Sequence, residues 1–206
     1  MITVGREEHW QKVYTTKADN EVSWYEEYPA FSLDLISKYG GQAVESVVDV
    51  GGGASRLVDE LLKRGTAGVC VVDVSSEALA VAKSRLPADA PVEWVVTDVT
   101  TWRPRRRYDL WHDRAAFHFL TNPSDQKAYV HVMDEALRPG GTSVIGTFSL
   151  RGPEKCSGLE IVRHDGSSLS EIFGNRFTLV ESLEHQHVTP WNSSQAFQFS
   201  IFRKSL

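Results

Sequence analysis

The feature that most constrains this chain is a regular alternation, between residues 46 and 149, of short apolar runs with segments of helical character. Strands that alternate with helices of about ten residues form parallel sheets, because each helix carries the chain back across the sheet. The runs predicted as strands are 46–50, 68–73, 92–96, 108–112 and 142–149.

Capping residues and helix breakers bound the predicted helices. Ser55 is expected to cap the helix after the first strand, and Ser76 is expected to cap a helix that Pro87 closes. Asn122 opens a third helix, which ends before the fifth strand. Two helices are also expected within residues 1–40, ahead of the first strand.

The C-terminal part departs from this alternation. Residues 150–176 are rich in loop signals and contain one predicted helix, at 168–173. The runs 177–189 and 195–203 are predicted as strands, and the short turn at 190–194 is typical of a hairpin. We therefore expect the last strand to be antiparallel to the others, within a single domain.

Size, charge and cysteine usage exclude several classes of protein. The chain of 206 residues can bury one core, and its net charge of −5 lacks the basic footprint of a dedicated nucleic-acid binder. There is no membrane-spanning apolar run and no secretory signal. Two cysteines without CxxC or histidine ligand spacing predict neither disulfides nor zinc. We expect a reduced, cytoplasmic monomer or homodimer without nucleic-acid or membrane partners.

An open parallel sheet binds its ligands beyond the carboxyl ends of its strands. After the first strand comes Asp49-Val-Gly-Gly-Gly-Ala-Ser55, whose glycines let the backbone turn sharply and approach a ligand. Asp73 ends the second strand, where a carboxylate suits a ribose diol, and Asp98 with Val99 ends the third, where the pair suits adenine. Turn residues and helix caps are the alternatives. Nicotinamide enzymes share the ribose acid, but this glycine pattern is not theirs.

Two further polar runs are expected at the same edge of the sheet. His112-Asp-Arg-Ala-Ala-Phe-His118 follows the fourth strand, and Ala136-Leu-Arg-Pro-Gly-Gly141 precedes the fifth. The basic run Arg103-Pro-Arg-Arg-Arg107 is expected on a solvated loop that faces away from the cleft, with a phosphate or nucleic-acid contact as the alternative.

In this order and spacing, the motifs resemble those of the class I S-adenosylmethionine-dependent methyltransferases, over about residues 44–150. The resemblance implies an α/β, Rossmann-like, doubly wound sheet of seven strands with the last strand antiparallel. It implies S-adenosylmethionine as the cofactor, with the glycine loop at its methionine part, Asp73 at its ribose and Asp98 with Val99 at its adenine. The candidate cofactor-binding residues are Trp10, Tyr14, Trp24, Asp49, Gly51, Gly53, Asp73, Val74, Asp98, Val99 and Asp113.

The N-terminal segment carries a second resemblance. His9-Trp10-Gln-Lys-Val-Tyr14 and Ser23-Trp24-Tyr25 are similar to the helical lid of the elongation-factor-1A-type (eEF1A) and citrate-synthase-type lysine methyltransferases. In that family, aromatic side chains of this segment cover the cofactor, and Trp and Tyr can seal an apolar site. A helix that only docks on the sheet is the alternative. The predicted layout is a lid at 1–44, a cofactor-binding core at 45–149, and an acceptor loop with the hairpin at 150–206.

Methyl transfer is an in-line displacement that the cofactor activates, so a base is needed only for a protonated acceptor. His118, Cys156 and His187 are the candidate catalytic residues and are expected to converge over the methyl group. Lys155 would lower the pKa of Cys156 if the thiol were partly exposed. Each of the three can equally be an ordinary turn or sheet residue, and their spacing predicts no metal site.

The leading hypothesis is a methyltransferase that acts on an O, N or S atom of a small-molecule acceptor, because 206 residues leave little room for a docking domain. A protein-lysine methyltransferase is one alternative, and a non-catalytic cofactor-binding regulatory module is another. An open, polar pocket on the acceptor side favours catalysis, whereas bulky side chains over the methyl group favour the regulatory module.

Overall fold

The computed structural model describes residues 3–41 and 44–206, so residues 1, 2, 42 and 43 of the predicted lid lie outside the described residues. The helices are α1 (Thr3–Thr16), α2 (Ala30–Tyr39), α3 (Leu57–Lys63), α4 (Ser76–Ser84), α5 (Pro123–Ala136) and α6 (Gly166–Phe173). Within these ranges, none of the helices has the length and apolar character that crossing a bilayer requires.

The strands alternate with these helices, as the sequence predicts. They are β1 (Ser46–Val50), β2 (Gly68–Asp73), β3 (Val92–Val96), β4 (Tyr108–Arg114), β5 (Leu137–Phe148), β6 (Lys155–Cys156), β7 (Leu159–Glu160), β8 (Phe177–Val188) and β9 (Ser194–Lys204).

Seven strands form one sheet in the order β3-β2-β1-β4-β5-β9-β8. Strands β1 to β5 pair in parallel, whereas β9 runs antiparallel to both of its neighbours, β5 and β8. The predicted Rossmann-like sheet of seven strands, with the last strand antiparallel, is therefore confirmed. The short strands β6 and β7 form a separate hairpin.

Helices cover both faces of the sheet. Because side chains alternate along a strand, Val48 and Val50 of β1 pack with α5 and α6 on one face, while Val47 packs with α2, α3 and α4 on the other. All five residues of β1 are buried, as expected for a strand covered on both sides. This burial holds the strand ends, and the loops that follow them, in fixed positions.

Two helix caps differ from their predictions by one residue. Ser75 caps α4, since its Oγ accepts a hydrogen bond from the amide of Ala78 at 3.1 Å, and the expected cap Ser76 is the first helical residue. Before α3, the capping position is Arg56, and the expected cap Ser55 precedes it, although its Oγ accepts a hydrogen bond from the amide of Leu57 at 3.1 Å.

The run from 136 to 141 lies at the amino end of the sheet, so its prediction at the ligand-binding edge is wrong. Leu137 begins β5 and pairs with Tyr108, the first residue of β4. The segment precedes its strand and therefore enters from the side opposite the cleft. Arg106 of the basic run packs over the ring of Tyr108 at 4.8 Å, so this connection lies on the same remote side, as predicted.

Candidate active site

A cavity of about 780 Å³ opens at the carboxyl edge of the sheet, between the strand ends and α1. A second cavity, of about 600 Å³, shares Tyr14, Trp24, Gly51 and Arg114 with it. Of the predicted site residues, those that line the first cavity are Trp10, Tyr14, Trp24, Gly51, Asp73, Val74, Asp98, Val99 and Cys156.

The other predicted residues lie elsewhere. Asp49 lines the second cavity. Gly53, Asp113, His118 and His187 line neither of the two. We call the strand-end residues Gly51, Asp73, Val74, Asp98 and Val99 the floor of the first cavity, and Trp10, Tyr14 and Trp24 its lid.

The glycine loop leaves no space for side chains. Gly51 has a φ of +64°, and a Cβ there would lie 2.7 Å from the Cβ of Ala116. At Gly52 a Cβ would lie 2.5 Å from Oδ2 of Asp49, so this glycine, missed at the sequence level, is also required. The signal was present, since the three glycines are consecutive. The loop thus presents bare backbone to the cavity.

Asp73 is a buried carboxylate with spare hydrogen-bonding capacity. It accepts a hydrogen bond from the amide of Ser75 at 2.8 Å and further backbone hydrogen bonds from Gly53 and Val74. Burial, reinforced by the charge of Asp49, raises the pKa of Asp73 to about 7 despite these donors. Among the described residues no cation pairs with it, so the carboxylate fits a ligand that brings hydroxyl donors.

Asp98 forms a turn and also lines the cavity. Its Oδ1 accepts hydrogen bonds from the amide of Thr100 at 2.8 Å and from the hydroxyl of Thr100 at 2.7 Å, which caps a short 3-10 helix. Its Oδ2 lies 3.4 Å from Nη1 of Arg6 on α1. The residue is therefore a turn aspartate that also faces the cavity and connects it to the lid helix.

Asp49 supports the glycine loop from below. It accepts a hydrogen bond from Nδ1 of His112 at 2.8 Å, and Nε2 of His112 accepts one from Oγ of Ser32 at 2.9 Å. All three residues are buried. Both nitrogens of His112 therefore have hydrogen-bond partners, and the ring connects Asp49 below the loop to Ser32 of α2.

Asp113 does not reach either cavity, which corrects its prediction as a cofactor ligand. It accepts hydrogen bonds from the amide of Ala116 at 2.9 Å and from the hydroxyl of Tyr129 at 2.6 Å. Strand alternation turns residue 113 toward α5 and Arg114 toward the cleft. Burial raises the pKa of Asp113 to about 6. Its contacts shape the turn in which Ala115, a cavity residue, has a φ of +69°.

Aromatic rings form the lid. Trp10 meets Trp24 edge to face at a centroid distance of 5.5 Å and meets Phe119, from the loop after β4, at 5.0 Å. The indole N–H of Trp24 donates to the hydroxyl of Tyr14 at 3.2 Å. Burial raises the pKa of Tyr14 well above its ordinary value, so this hydroxyl stays protonated. The lid residues therefore face the cavity as one connected group.

His187 anchors the lid from outside the cavity, so it does not stand over a bound methyl group as predicted. Its Nε2 donates to the carbonyl oxygen of Ser23 at 2.6 Å, and its Nδ1 accepts from Nη2 of Arg114 at 3.2 Å. Arg114 also donates to the carbonyl oxygen of Trp24 at 2.9 Å and pairs with Glu26 at 3.2 Å. We call Arg114, Glu26 and His187 the latch.

His118 faces the core, which contradicts its predicted catalytic role. It belongs to the 3-10 helix Phe117–Phe119, which turns Phe119 toward the cavity and residue 118 inward. Nδ1 of His118 accepts from the amide of Phe148 at 3.4 Å. Burial lowers the pKa of His118 to about 3, so the ring stays neutral.

Cys156 lines the cavity, but its environment differs from the one expected. Burial raises the pKa of the thiol to about 12, whereas the neighbouring Lys155 points to solvent and pairs with Glu160 at 2.6 Å. On the same hairpin, Oγ of Ser157 lies 3.3 Å from Nε2 of His9 in α1. The hairpin β6–β7 therefore closes the cavity against the lid helix and presents a protonated thiol.

Several lining residues were not predicted individually from the sequence. Arg114 lies within the run 112–118, and Phe119 directly follows it. The alternation of side chains along β4 could have indicated that Arg114 faces the cavity. Arg6 carries no sequence signal, because its role comes from the packing of α1 against the floor.

Comparison with known proteins supports this arrangement. Residues 47–141 match the family model described as a methyltransferase domain. A malonyl-[acyl-carrier protein] O-methyltransferase of Ilyobacter polytropus is 22% identical over 130 residues, which are 60% of this chain and 49% of that protein. A trans-aconitate 2-methyltransferase of Azoarcus sp. is 32% identical over 113 residues, which are 54% and 42% of the two chains. The chain thus spans about half the length of these curated relatives.

A solved structure resembles almost the whole chain. The N-methyltransferase NodS of Bradyrhizobium japonicum, solved with S-adenosyl-L-homocysteine, has a TM-score of 0.72 at 18% identity and covers 94% of this chain and 97% of its own. The structural likeness confirms the fold that the resemblance implies, and the methyltransferase-domain match covers residues 47–141 of the predicted core. The resemblance of the N-terminal segment to lysine methyltransferases is not shown by these matches.

Proposed function

We propose that this chain is an S-adenosylmethionine-dependent methyltransferase that acts on a small-molecule acceptor. The observation that carries the proposal is the unpaired, buried carboxylate of Asp73 at the end of β2, beside a glycine loop with no space for side chains. Ribose hydroxyls are suitable donors for such a carboxylate. The methyltransferase-domain match over residues 47–141 supports the same interpretation of the site.

We assign different parts of the cofactor to the floor and to the second cavity. Asp73 with Val74 is assigned to the ribose, and Asp98 with Val99 to the adenine. The bare backbone of the glycine loop and the second cavity, which reaches Asp49, receive the methionine part. When bound, S-adenosylmethionine supplies the activated methyl group. The chain's own side chains orient the cofactor and, through the lid, exclude water.

A small molecule is the favoured acceptor. Of the relatives named above, one is a trans-aconitate methyltransferase, whose named substrate is a small molecule, and another acts on malonyl-[acyl-carrier protein]. The cavity lies between the strand ends, the lid and the hairpin β6–β7, which bound the space for an acceptor. We further propose that the chain works in the cytoplasm, a reducing compartment, since both of its cysteines are free. We also propose that it works as one domain, built on its single seven-stranded sheet, and as a monomer or homodimer.

Calorimetric titration with S-adenosylhomocysteine tests the cofactor half of the proposal. We expect one site per chain, and Asp73→Ala should remove it. Asp89→Ala is the matched control, because Asp89 lies in an exposed turn away from the cavity. Absence of binding by the wild-type chain at millimolar ligand would refute the assignment.

Radiolabelled methyl transfer in a cell lysate tests the acceptor half. Label in the small-molecule fraction is the expected result. Label in protein instead would favour the protein-lysine methyltransferase, and cofactor binding without any transfer would favour the non-catalytic module.

A further inference from the structure

The part of the cavity left for the acceptor can be identified by elimination, given the proposed function. Asp73, Val74, Asp98 and Val99 are assigned to the adenosine, and the glycine loop with the second cavity to the methionine. Among the lining residues that remain, those of the N-terminal segment, of the end of β4 with the loop after it, and of the hairpin form what we call the acceptor wall: Trp10, Trp24, Arg114, Ala115, Phe119 and Cys156. Arg6 also lines the cavity, but it pairs with Asp98 and Asp125.

The acceptor wall contains no group suited to remove a proton. Of the described residues, no histidine lines either the wall or the rest of the first cavity. Its thiol, Cys156, is held protonated by burial, which raises the pKa to about 12. The nearby hydroxyl of Tyr14 accepts the indole N–H of Trp24, and burial keeps it protonated as well.

The nearest imidazoles are already engaged. Both nitrogens of His112 and both nitrogens of His187 have hydrogen-bond partners. His118 faces the core. His9, on the lid helix, contacts Ser157 of the hairpin at 3.3 Å and is therefore the imidazole tested as a base below.

The positive charge of the acceptor wall is also compensated. Arg114 pairs with Glu26 at 3.2 Å, and its other contacts are the carbonyl of Trp24 and the ring of His187. An ionised acceptor would therefore find no unpaired side-chain cation in the acceptor wall, and burying a charge without such a partner is costly. Uncharged groups are favoured against Trp10 and Phe119.

We propose that the acceptor presents an uncharged lone pair that carries no proton at neutral pH, on a pyridine-type heterocyclic nitrogen or a thioether sulfur. The acceptor is then neither a hydroxyl nor a carboxylate, in contrast to that of an O-methyltransferase such as the malonyl-[acyl-carrier protein] relative. The acceptor lone pair forms the new bond to the methyl carbon as the carbon–sulfur bond of the cofactor breaks, and that bond's electrons stay on the cofactor sulfur. The positive charge passes to the acceptor, and no proton need leave before transfer. Aromatic faces such as those of Trp10 and Phe119 favour a cationic product.

Product chemistry tests this inference even while the acceptor is unidentified. The full chain is incubated with methyl-labelled S-adenosylmethionine and a deproteinised cell extract, and the products are resolved from the cofactor. Label in alkali-stable products that bind a cation exchanger supports the proposal. Label released as methanol by mild alkali indicates an ester, and label in neutral, alkali-stable products indicates an ether, and either result overturns it. No label in any small molecule refutes the proposed function, and the inference falls with it.

A binding measurement gives a readout that does not need turnover. Quinoline and 1-naphthoate are two-ring probes that differ in charge, and each is titrated by calorimetry into the chain loaded with S-adenosylhomocysteine. We expect quinoline to bind at least tenfold more tightly and Phe119→Ala to abolish that preference. Phe31→Ala is the control, because Phe31 stacks on His185 outside the cavity. Tighter binding of 1-naphthoate would overturn the charge argument.

His9 is tested separately as a base. The substitution His9→Gln removes the imidazole and can move the lid helix, so the rate of methyl transfer is expected to change. If the acceptor needs no base, the pH profile of the rate keeps the shape that it has in the wild type. A profile that loses a titration near neutral pH in this variant would assign the base to His9 and contradict the proposal.

Discussion

The floor of the cavity is built from residues at or just beyond the carboxyl ends of β1, β2 and β3, whereas its lid is tied to residues 98, 114, 157 and 187, far from it along the chain. The floor therefore inherits its geometry from the sheet. The lid depends on a few hydrogen bonds and ion pairs, most of which involve side chains of the latch or of the hairpin. The difference suggests that substitutions in the floor abolish cofactor binding, while substitutions around the lid weaken it by smaller factors.

The largest effect is expected in the glycine loop. Gly51→Ala places a Cβ 2.7 Å from that of Ala116, and we expect cofactor affinity to fall by about 100-fold or more. Gly65→Ala is the matched control, because its φ is also positive, at +84°, but nothing lies within 4 Å. Both variants should lose about 1–2 kcal/mol of unfolding free energy, measured in urea. Equal cofactor affinity in the two variants would show that the close contact at Gly51 does not affect cofactor binding.

The buried His118 should affect the stability of the fold without affecting cofactor binding. Burial lowers the pKa of His118 to about 3 from its usual 6.5, so the unfolded chain binds a proton that the folded chain does not. The resulting stability is present above pH 6.5 and is lost as the pH falls toward 3. Relative to His118→Phe, the wild type should lose about 2 kcal/mol of unfolding free energy between pH 7 and pH 4.5. Equal slopes, or lost cofactor binding at pH 7, would contradict this role.

Titration of the floor carboxylate should make cofactor binding depend on pH. Burial raises the pKa of Asp73 to about 7, and the ionised form accepts the ribose hydroxyls. Affinity should therefore be higher at alkaline pH, and the dissociation constant for S-adenosylhomocysteine should rise about tenfold from pH 8 to pH 6. Asp73→Asn should bind more weakly and without this dependence. A variant that kept the wild-type pH profile would place the titrating group elsewhere.

The smallest effect is expected at the latch. His187→Phe removes the hydrogen bond to the carbonyl oxygen of Ser23, which should speed dissociation of S-adenosylhomocysteine about three- to tenfold in stopped-flow measurements. His185→Phe is the control, since His185 stacks on Phe31 and makes no contact with Ser23. Similar rates in both variants would mean that the lid does not limit cofactor release.

The sequence predicted the floor because each of its residues is tied to a strand by local rules. Asp73 and Asp98 end apolar runs, and in a parallel sheet such ends meet at one edge. The fold followed from the same alternation. The run 136–141 was misplaced because it precedes its strand rather than following it.

The lid and the acceptor side were predicted less well for a physical reason. Whether His118 or His187 faces the cavity depends on a 3-10 turn and on contacts across more than a hundred residues, which no local pattern records. The thiol of Cys156 reaches the cavity as predicted, but its pKa depends on burial rather than on its neighbour Lys155. Trp10, Tyr14 and Trp24 were indicated by the family resemblance of their segment, and helical spacing applies only to Trp10 and Tyr14, because Trp24 lies beyond the end of α1.

The most direct test of the floor as a cofactor cradle is a crystal structure of the chain with S-adenosylhomocysteine. We predict both ribose hydroxyls on the carboxylate of Asp73, the adenine between Asp98 and Val99, and the sulfur facing Phe119 and Cys156. A ligand bound away from Asp73, or one whose ribose points toward the lid, would contradict the account.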